Sequence, residues 1–463
     1  MKRDILDHKI FHSLIRSDKV TPAERWLGYF LGPFSVVLLN SILNNYLNVY
    51  YTDVAGLGGL WGGWFLSVFP IVVKMLDAMT FILMGLLVDR FHSRQGKARP
   101  WILFSAPLLV ASMILLFTIP TGNSFATALW IFISYNLFYS VAYTAYNTCH
   151  TLMVPLSTKD MQERGRLSVL TNSQGMLSGM IVAVMFPTFI VPAMGIVRGR
   201  WIAVMTFIAL TAFPFILMEY YFTRERVTEH AHEEGSRSLR RQLCLCLKSR
   251  RWKTFMIYLI LIHLTSCLSQ SATFYYCNWV LGSYNDGYTQ ALFFAVGNAA
   301  LGPGVFLCRP VCKKLGRENA MAGGFLLAAA GTAVCLLNPH SLIQVLIGQI
   351  IKSIGLIPST YMVTAMLGDA LDDVENHTGT RCDGFSSSVY NVIYTLATGA
   401  ALCILNFGLM QCGYSAPSAR IVPVQNDTVQ AFLTFSAIGC QTLVYPFAAL
   451  LLKLGGTHTE KRI

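Results

Sequence analysis

Residues 60–120 read LWGGWFLSVFPIVVKMLDAMTFILMGLLVDRFHSRQGKARPWILFSAPLLVASMILLFTIP. This stretch consists of an apolar run at 60–88, a short basic loop at 89–100 and a second apolar run at 101–120. A helix of roughly 20 apolar residues is long enough to cross the hydrocarbon core of a membrane. The stretch therefore predicts two consecutive membrane-spanning helices joined by a short, positively charged loop.

Apolar runs of this kind recur along nearly the whole chain of 463 residues, of which 54% are hydrophobic and 13% charged. A soluble domain carries about 25% charged residues, so the composition excludes a soluble enzyme, a coiled coil and a disordered protein. Little chain remains for a catalytic or nucleic-acid-binding domain. Hydropathy predicts twelve spans, at 26–50, 60–88, 101–120, 125–153, 168–193, 200–222, 253–283, 287–309, 319–337, 341–367, 384–410 and 426–453.

The basic residues predict how these spans are oriented. With the N-terminus inside, the inner segments hold 30 of the 35 lysines and arginines, the outer loops hold 3, and Lys74 and Lys352 lie within spans. Cytoplasmic loops of membrane proteins are enriched in lysine and arginine. Both termini are therefore expected in the cytoplasm, and this rule explains the net charge of +12 better than a nucleic-acid partner does.

The longest charged loop divides the spans into two equal sets. The basic loop at 89–100 has a counterpart at 309–321 in the second set, which is a weak internal repeat of the kind found in two-bundle transporters. The longest loop, at 223–252, is expected to be a solvated linker, with contact to anionic lipid as the alternative. We predict an all-α membrane protein with a cytoplasmic N-terminal segment at 1–25, a six-helix bundle at 26–222, a central loop at 223–252, a second six-helix bundle at 253–453 and a cytoplasmic tail at 454–463.

The segment DRFHSRQGKARPW at 89–101 resembles the signature loop of the glycoside–pentoside–hexuronide:cation symporters, the melibiose permease-like family of the major facilitator superfamily. The resemblance covers most of the chain. Further matches in register are the segment 51–54, Lys74, Asp77, Gly85, Tyr143, Thr144, Pro155, Asp160, Glu163, Arg164, the segment 369–375, Arg381 and Gly384.

This resemblance implies the major facilitator fold and a secondary transporter of the cell membrane that carries a sugar or glycoside by alternating access. Such a protein acts as a monomer in the bilayer, without cofactor or metal, and is not an enzyme. The patterns GxSxG, HExxH and Walker A are absent, and the twelve cysteines show no ligand spacing. Two alternatives remain open: a carrier of lysolipids or other amphipathic solutes, and a sensor that binds solute without moving it.

Charged residues of the cytoplasmic loops form a candidate gate. Carboxylates and guanidinium groups at these junctions can pair across the two bundles. The alternative is a role in helix capping and topology only. The candidates are Asp89, Arg90, Arg94, Lys97 and Arg99, then Asp160 and Arg164, and in the second half Asp369, Asp372, Glu375 and Arg381.

Asp77 is the only acid well inside a predicted span, and charged residues at that depth suggest function. Lys74 lies one helical turn away and can pair with it. In melibiose permease this helix carries two aspartates that bind sodium; Asp77 matches the first, whereas Phe81 occupies the second position. A family-type sodium site is therefore doubtful. Asp77 is expected to couple protons, with a structural ion pair or another cation as the alternatives.

Polar residues of other spans are candidates for binding the solute. Asn40, Asn44 and Asn48 share one helical face because they recur at every fourth residue. Amides in a span face protein or a water-filled cavity. These side chains therefore either form hydrogen bonds with the solute or join neighbouring helices. The proposed set is Asn40, Asn44, Tyr143, Asn147, His150, Asn172, Asn391 and Tyr394.

Melibiose permease has charged groups at four positions where this chain has neutral residues. These are Val37, Asn147, Asn172 and Thr395. The departure argues against melibiose and against recognition of a uronate by charge, and favours a neutral glycoside or a more apolar solute. His150 could relay protons, although a lone histidine in a span is as often a plain hydrogen-bond partner.

Overall fold

The computed structural model describes residues 12–91, 93, 95–120, 122–227, 239–378, 383–418 and 422–456. All regular structure in these ranges is helical. The helices are α1 Glu24–Val54, α2 Trp64–Arg90, α3 Arg99–Phe117, α4 Ser124–Ser157, α5 Gln162–Met194, α6 Arg198–Tyr221, α7 Leu239–Cys246, α8 Arg250–Leu281, α9 Gly287–Asn298, α10 Leu301–Leu315, α11 Arg317–Leu337, α12 Leu342–Thr378, α13 Asp383–Cys412 and α14 Asp427–Lys453.

Eleven of the predicted spans correspond to helices that are long and apolar enough to cross a membrane. The exception is the span predicted at 287–309, where α9 and α10 replace one continuous helix. Pro303 lies in the first turn of α10 and has no N–H to donate, and its ring crowds the carbonyl of the residue four positions earlier. The helix is therefore interrupted at Ala299 and Ala300, whose backbone angles remain near helical values.

The helices form two halves, α1–α6 and α8–α14. Both halves run from the end of the bundle where α1 begins and α14 ends, here called the termini end, to the opposite or far end. The largest buried apolar cluster includes residues of both halves. Within it Tyr46 of α1 packs against Phe274 of α8 with the ring centroids 6.0 Å apart. A second cluster, around Trp252, Phe325 and Leu452, belongs to the second half alone.

The two halves are joined at the far end. Asn48 of α1 and Asn406 of α13 form a reciprocal amide pair with both N···O distances at 3.0 Å. Further hydrogen bonds between the halves lie in the same portion of the bundle, nearer the far end. These bonds are Asn48–Tyr275, Thr52–Tyr275, Gln270–Asn45, Gln290–Tyr46, Asn406–Leu66 and Tyr414–Asp53.

Candidate functional site

A cavity of about 50 Å³ lies between the two halves. It is bounded by α1, α2 and α4 of the first half and by α8 and α13 of the second. Its wall combines amides, phenols and one ammonium group with aliphatic side chains, which suits a small solute with both polar and apolar faces. The lining residues are Leu43, Asn44, Leu47, Asn48, Tyr51, Leu66, Phe69, Pro70, Lys74, Tyr135, Tyr139, Ser271, Thr398 and Leu402.

Lys74 and Asp77 form a buried ion pair at this cavity. The Lys74 Nζ atom lies 2.9 Å from Asp77 Oδ2, and both side chains are 9% exposed. The same ammonium group lies 4.1 Å from the ring centroid of Tyr139, within the range of a cation–π interaction. Because Lys74 also lines the cavity, a bound solute would meet a cation whose partner is a titratable carboxylate.

Asp77 has a second partner, which the sequence did not reveal. Ser140 of α4 donates its hydroxyl to Asp77 Oδ1 at 2.6 Å. Ser140 lies in a wider π-helical stretch of α4, Leu137–Tyr143, and such stretches often occur at functional sites. Both oxygens of Asp77 are therefore bonded, one by Lys74 of the same helix and one by Ser140 of α4.

The asparagine face predicted for α1 serves both the cavity and the helix contacts. Asn44 lines the cavity, accepts a hydrogen bond from the Tyr139 hydroxyl at 3.1 Å and donates to Asn40 at 3.3 Å. Asn48 instead bonds to Asn406 across the halves. The polar face thus passes from solute-accessible amides to a contact between the halves within one turn of helix.

The remaining predicted binding residues lie at varied positions. Tyr143 is half-buried and stacks on Phe138, and Asn147 is also half-buried. Asn172 is exposed and donates to a backbone carbonyl of its own helix. Asn391 is exposed, and Tyr394 is 50% exposed with its ring edge-to-face against His263. None of these five asparagine and tyrosine residues lines the cavity as described above, so their role stays a prediction.

His150 lies in a buried cluster within the first half. Its Nδ1 atom is 2.7 Å from Glu219 Oε1, and the Tyr146 hydroxyl donates a short hydrogen bond to Glu219 Oε2. Glu219 in α6 is fully buried. Asp77 is not the only buried acid of these helices, since Glu219 and Asp53 of α1 are buried too. Both lie near the ends of predicted spans, where hydropathy does not distinguish a buried acid from one at the membrane surface.

The described contacts of the first-half gate candidates are to their own half and to the start of the central loop. Asp160 caps α5 by accepting from the Gln162 amide at 2.9 Å, and Arg164 donates to the carbonyls of Pro155 and Thr158. The amides of Lys97 and Arg99 bond to the Glu225 carboxylate. These contacts match the capping alternative, and a gating role stays a prediction.

In the second half, Arg251 lies 2.7 Å from Glu318 and 3.9 Å from Asp369. Asp372 and Glu375 are exposed on the last turns of α12. Arg94 and Arg381 lie outside the described residues, as do the side chains of Asp89 and Arg90.

The position that carries a second aspartate in melibiose permease has no oxygen ligand here. Phe81 is 36% exposed and lies one turn beyond Asp77. Among the residues described, no group of three or more His, Cys, Asp or Glu side chains could hold a metal ion.

Comparison with known families and proteins agrees with this architecture. The model of the family described as MFS/sugar transport protein matches residues 28–454. The isoprimeverose transporter of Lactiplantibacillus pentosus is 25% identical over 92% of this chain and 88% of its own length. The putative glycoside/cation symporter YagG of Escherichia coli (strain K12) is 26% identical over 92% and 90%, and the glucuronide carrier protein homolog of the same organism is 25% identical over 81% and 80%.

Solved structures share the fold at low sequence identity. The nucleoside transporter NupG superposes with a TM-score of 0.58 at 12% identity, covering 94% of this chain and 99% of that one. The transporter PepTSo of the POT family superposes with a TM-score of 0.61 at 11% identity, covering 94% and 98%. At this identity the likeness concerns the fold alone.

Proposed function

Because the chain belongs to the MFS/sugar transport family, within the glycoside–pentoside–hexuronide group of its relatives, we propose that it carries a neutral sugar or glycoside in symport with protons. Its cavity lies between two halves that rock about the bound solute, in alternating access. By the positive-inside rule both termini lie in the cytoplasm, so the far end faces outward. The protein acts as a monomer of the plasma membrane.

The buried pair of Lys74 and Asp77 is the observation that carries the coupling proposal. Charged groups inside a membrane are energetically costly. A buried carboxylate and a buried ammonium group there therefore point to a functional site. When Asp77 takes up a proton, the ion pair loses its attraction and Lys74 becomes available to a solute oxygen in the cavity. Binding of the proton and of the solute then favour one another.

The neutral character of the solute follows from the residues of the cavity wall. Asn44 and Tyr139 offer an amide and a phenol to hydroxyl groups. Lys74 is the charged residue of this wall, and Asp77 neutralises it. A neutral glycoside finds hydrogen-bond partners and apolar surface in this wall.

The hydrogen bonds at the far end bear on the conformational state. Asn48, Thr52 and Asp53 of the first half bond there to residues of the second half. These bonds favour a state that is closed outward. The outward-open state requires those bonds to break.

Transport into proteoliposomes tests the proposal. Neutral glycosides, including isoprimeverose, are supplied with an inward proton gradient or an inward sodium gradient at constant pH. We expect accumulation with protons and no stimulation by sodium. Asp77→Asn should abolish uphill accumulation but retain exchange of labelled for unlabelled solute.

Asp18→Asn is the matched control because Asp18 is a carboxylate whose side chain is 97% exposed. That variant should behave as the wild type. Accumulation by Asp77→Asn at the wild-type level would refute the coupling role of Asp77, and failure of every neutral glycoside with uptake of a lysolipid would refute the solute class.

A further inference from the structure

Two chains of hydrogen bonds converge on one oxygen of Asp53 at the far end. Thr52 donates to Asp53 Oδ1 at 2.8 Å, and Thr52 is itself 2.8 Å from the Tyr275 hydroxyl of the second half. From the other side, Tyr414 donates to the same oxygen at 3.0 Å, and Trp279 donates to Tyr414 at 3.1 Å. Three of these four donors come from the second half, so the carboxyl group joins the two halves.

The other oxygen of Asp53 has a different environment. Oδ2 is buried without a hydrogen-bond partner, and the residue is only 3% exposed. The titratable side chains that face Asp53 within the described chain are three phenols, Tyr275, Tyr284 and Tyr414. No described lysine, arginine or histidine forms an ion pair with it.

A buried carboxylate in this setting is unfavourable. An ionised group away from water needs a counter-charge and hydrogen bonds to all its lone pairs, and Oδ2 has neither. A proton on Oδ2 removes the charge of Asp53, and Oδ1 still accepts hydrogen bonds from Thr52 and Tyr414. The group left without a partner is then a neutral hydroxyl and not an anionic oxygen.

We propose that Asp53 is a proton-binding site that locks the far end, distinct from the coupling site at Asp77. The proton enters from the outer solution when the halves part, sits on Oδ2 while Tyr414 and Tyr275 close over it, and leaves to the same side on reopening. It is therefore not transported. Because the closed state binds this proton more tightly than the open state, outer acidity favours closure.

The inference rests on the proposed alternating access, but its tests measure no transport and do not involve Asp77. The first test is infrared spectroscopy of the purified protein at neutral pH. We expect the stretching band of a protonated carboxyl group in the wild type, its loss in Asp53→Asn, and a shift without loss in Tyr414→Phe. Asp18→Asn, which removes an exposed carboxylate, should leave the band unchanged. An identical band in wild type and Asp53→Asn would overturn the proposal.

The second test measures opening of the far end. Leu402 lines the cavity in the second half, so Leu402→Cys, in a background without the native cysteines, reports on access from outside to an impermeant maleimide. Labelling should rise from acidic to alkaline pH with Asp53 present and stay low at both pH values with Asp53→Asn. The same rise in both proteins would show that Asp53 does not control closure.

These outcomes separate the inference from the proposed function. Loss of the infrared band in Asp53→Asn together with absent proton-driven uptake would uphold the Asp53 site and reject coupling at Asp77. An unchanged infrared band in Asp53→Asn together with proton-driven uptake would reject the Asp53 site and uphold proton symport.

Discussion

Gly399 of α13 lies directly against Lys74 of α2, so close that a Cβ atom added to the glycine would be 2.8 Å from the Lys74 Cβ. The same added atom would be 2.9 Å from the carbonyl oxygen of Pro70. Small residues let membrane helices approach to this distance. The helix that carries the buried ion pair is thus positioned by a glycine in the opposite half.

We therefore expect Gly399→Ala to force α2 and α13 apart. Overpacking a well-packed contact costs about 1–3 kcal/mol, which should lower the Tm of the purified protein and slow solute exchange. Gly175→Ala is the matched control, since a Cβ atom at that helical glycine meets no atom within 4 Å. Equal Tm values for the two variants would contradict the close approach.

Removing one member of the Lys74–Asp77 pair should destabilise the protein more than removing both. Lys74→Met leaves a buried carboxylate without its counter-charge, and breaking a buried pair in this way costs about 3–5 kcal/mol. The double variant Lys74→Met/Asp77→Asn carries no charge at this position. We expect its Tm to lie above that of Lys74→Met.

Thermal unfolding of the wild type, the two single variants and the double variant measures this difference. Additive losses in the double variant would show that the two side chains do not depend on each other. The hydroxyl of Ser140 is neutral and cannot replace the Lys74 cation, so recovery in the double variant would be due to the missing charges.

Glu225 is expected to hold the basic loop at 89–98 in place. Its carboxylate accepts hydrogen bonds of 2.9 Å from the backbone amides of Lys97, Ala98 and Arg99 at the start of α3. Negative charge at a helix N-terminus is stabilising, and bonds to a charged group contribute about 1.5–3 kcal/mol. Glu225→Gln should therefore speed hydrogen exchange of these three amides.

Glu163→Gln is the control for this measurement. Glu163 is a carboxylate that pairs with Arg25 and Arg166 and does not bond to the loop. Unchanged exchange in Glu225→Gln, or equal acceleration in both variants, would show that the loop is held by other groups.

The sequence predicted the membrane helices well because the signal is additive along about 20 residues. It failed at 287–309, where one proline within the first turn of α10 interrupts a run that hydropathy reads as continuous. A sum over apolar side chains does not register the loss of a single backbone donor.

The candidate site was harder to predict because its contacts join residues far apart in the chain. Pairing of Lys74 with Asp77 follows from helical spacing, whereas the Ser140 bond to Asp77 depends on how α4 packs on α2. Glu219 and Asp53 lie near span ends, and only the packing of neighbouring helices buries them. Local patterns contain no information on such partners.

Phe81→Asp should make transport respond to sodium. Phe81 lies four residues after Asp77 and is 36% exposed, so a carboxylate there would lie on the same helical face as Asp77. Sodium is bound in transporters by several oxygen atoms, and the wild-type pair offers a carboxylate that Lys74 already neutralises. A second carboxylate adds both ligands and the negative charge that a cation needs.

Uptake of a neutral glycoside at fixed pH, with and without an inward sodium gradient, measures the effect. We expect stimulation in Phe81→Asp only, and none in the wild type. Ile82→Asp is the matched control, because Ile82 is 48% exposed and the next residue points about 100° further around the helix. Stimulation of the wild type would mean that Phe81 does not exclude sodium, and equal stimulation of both variants would mean that the added charge acts without a defined site.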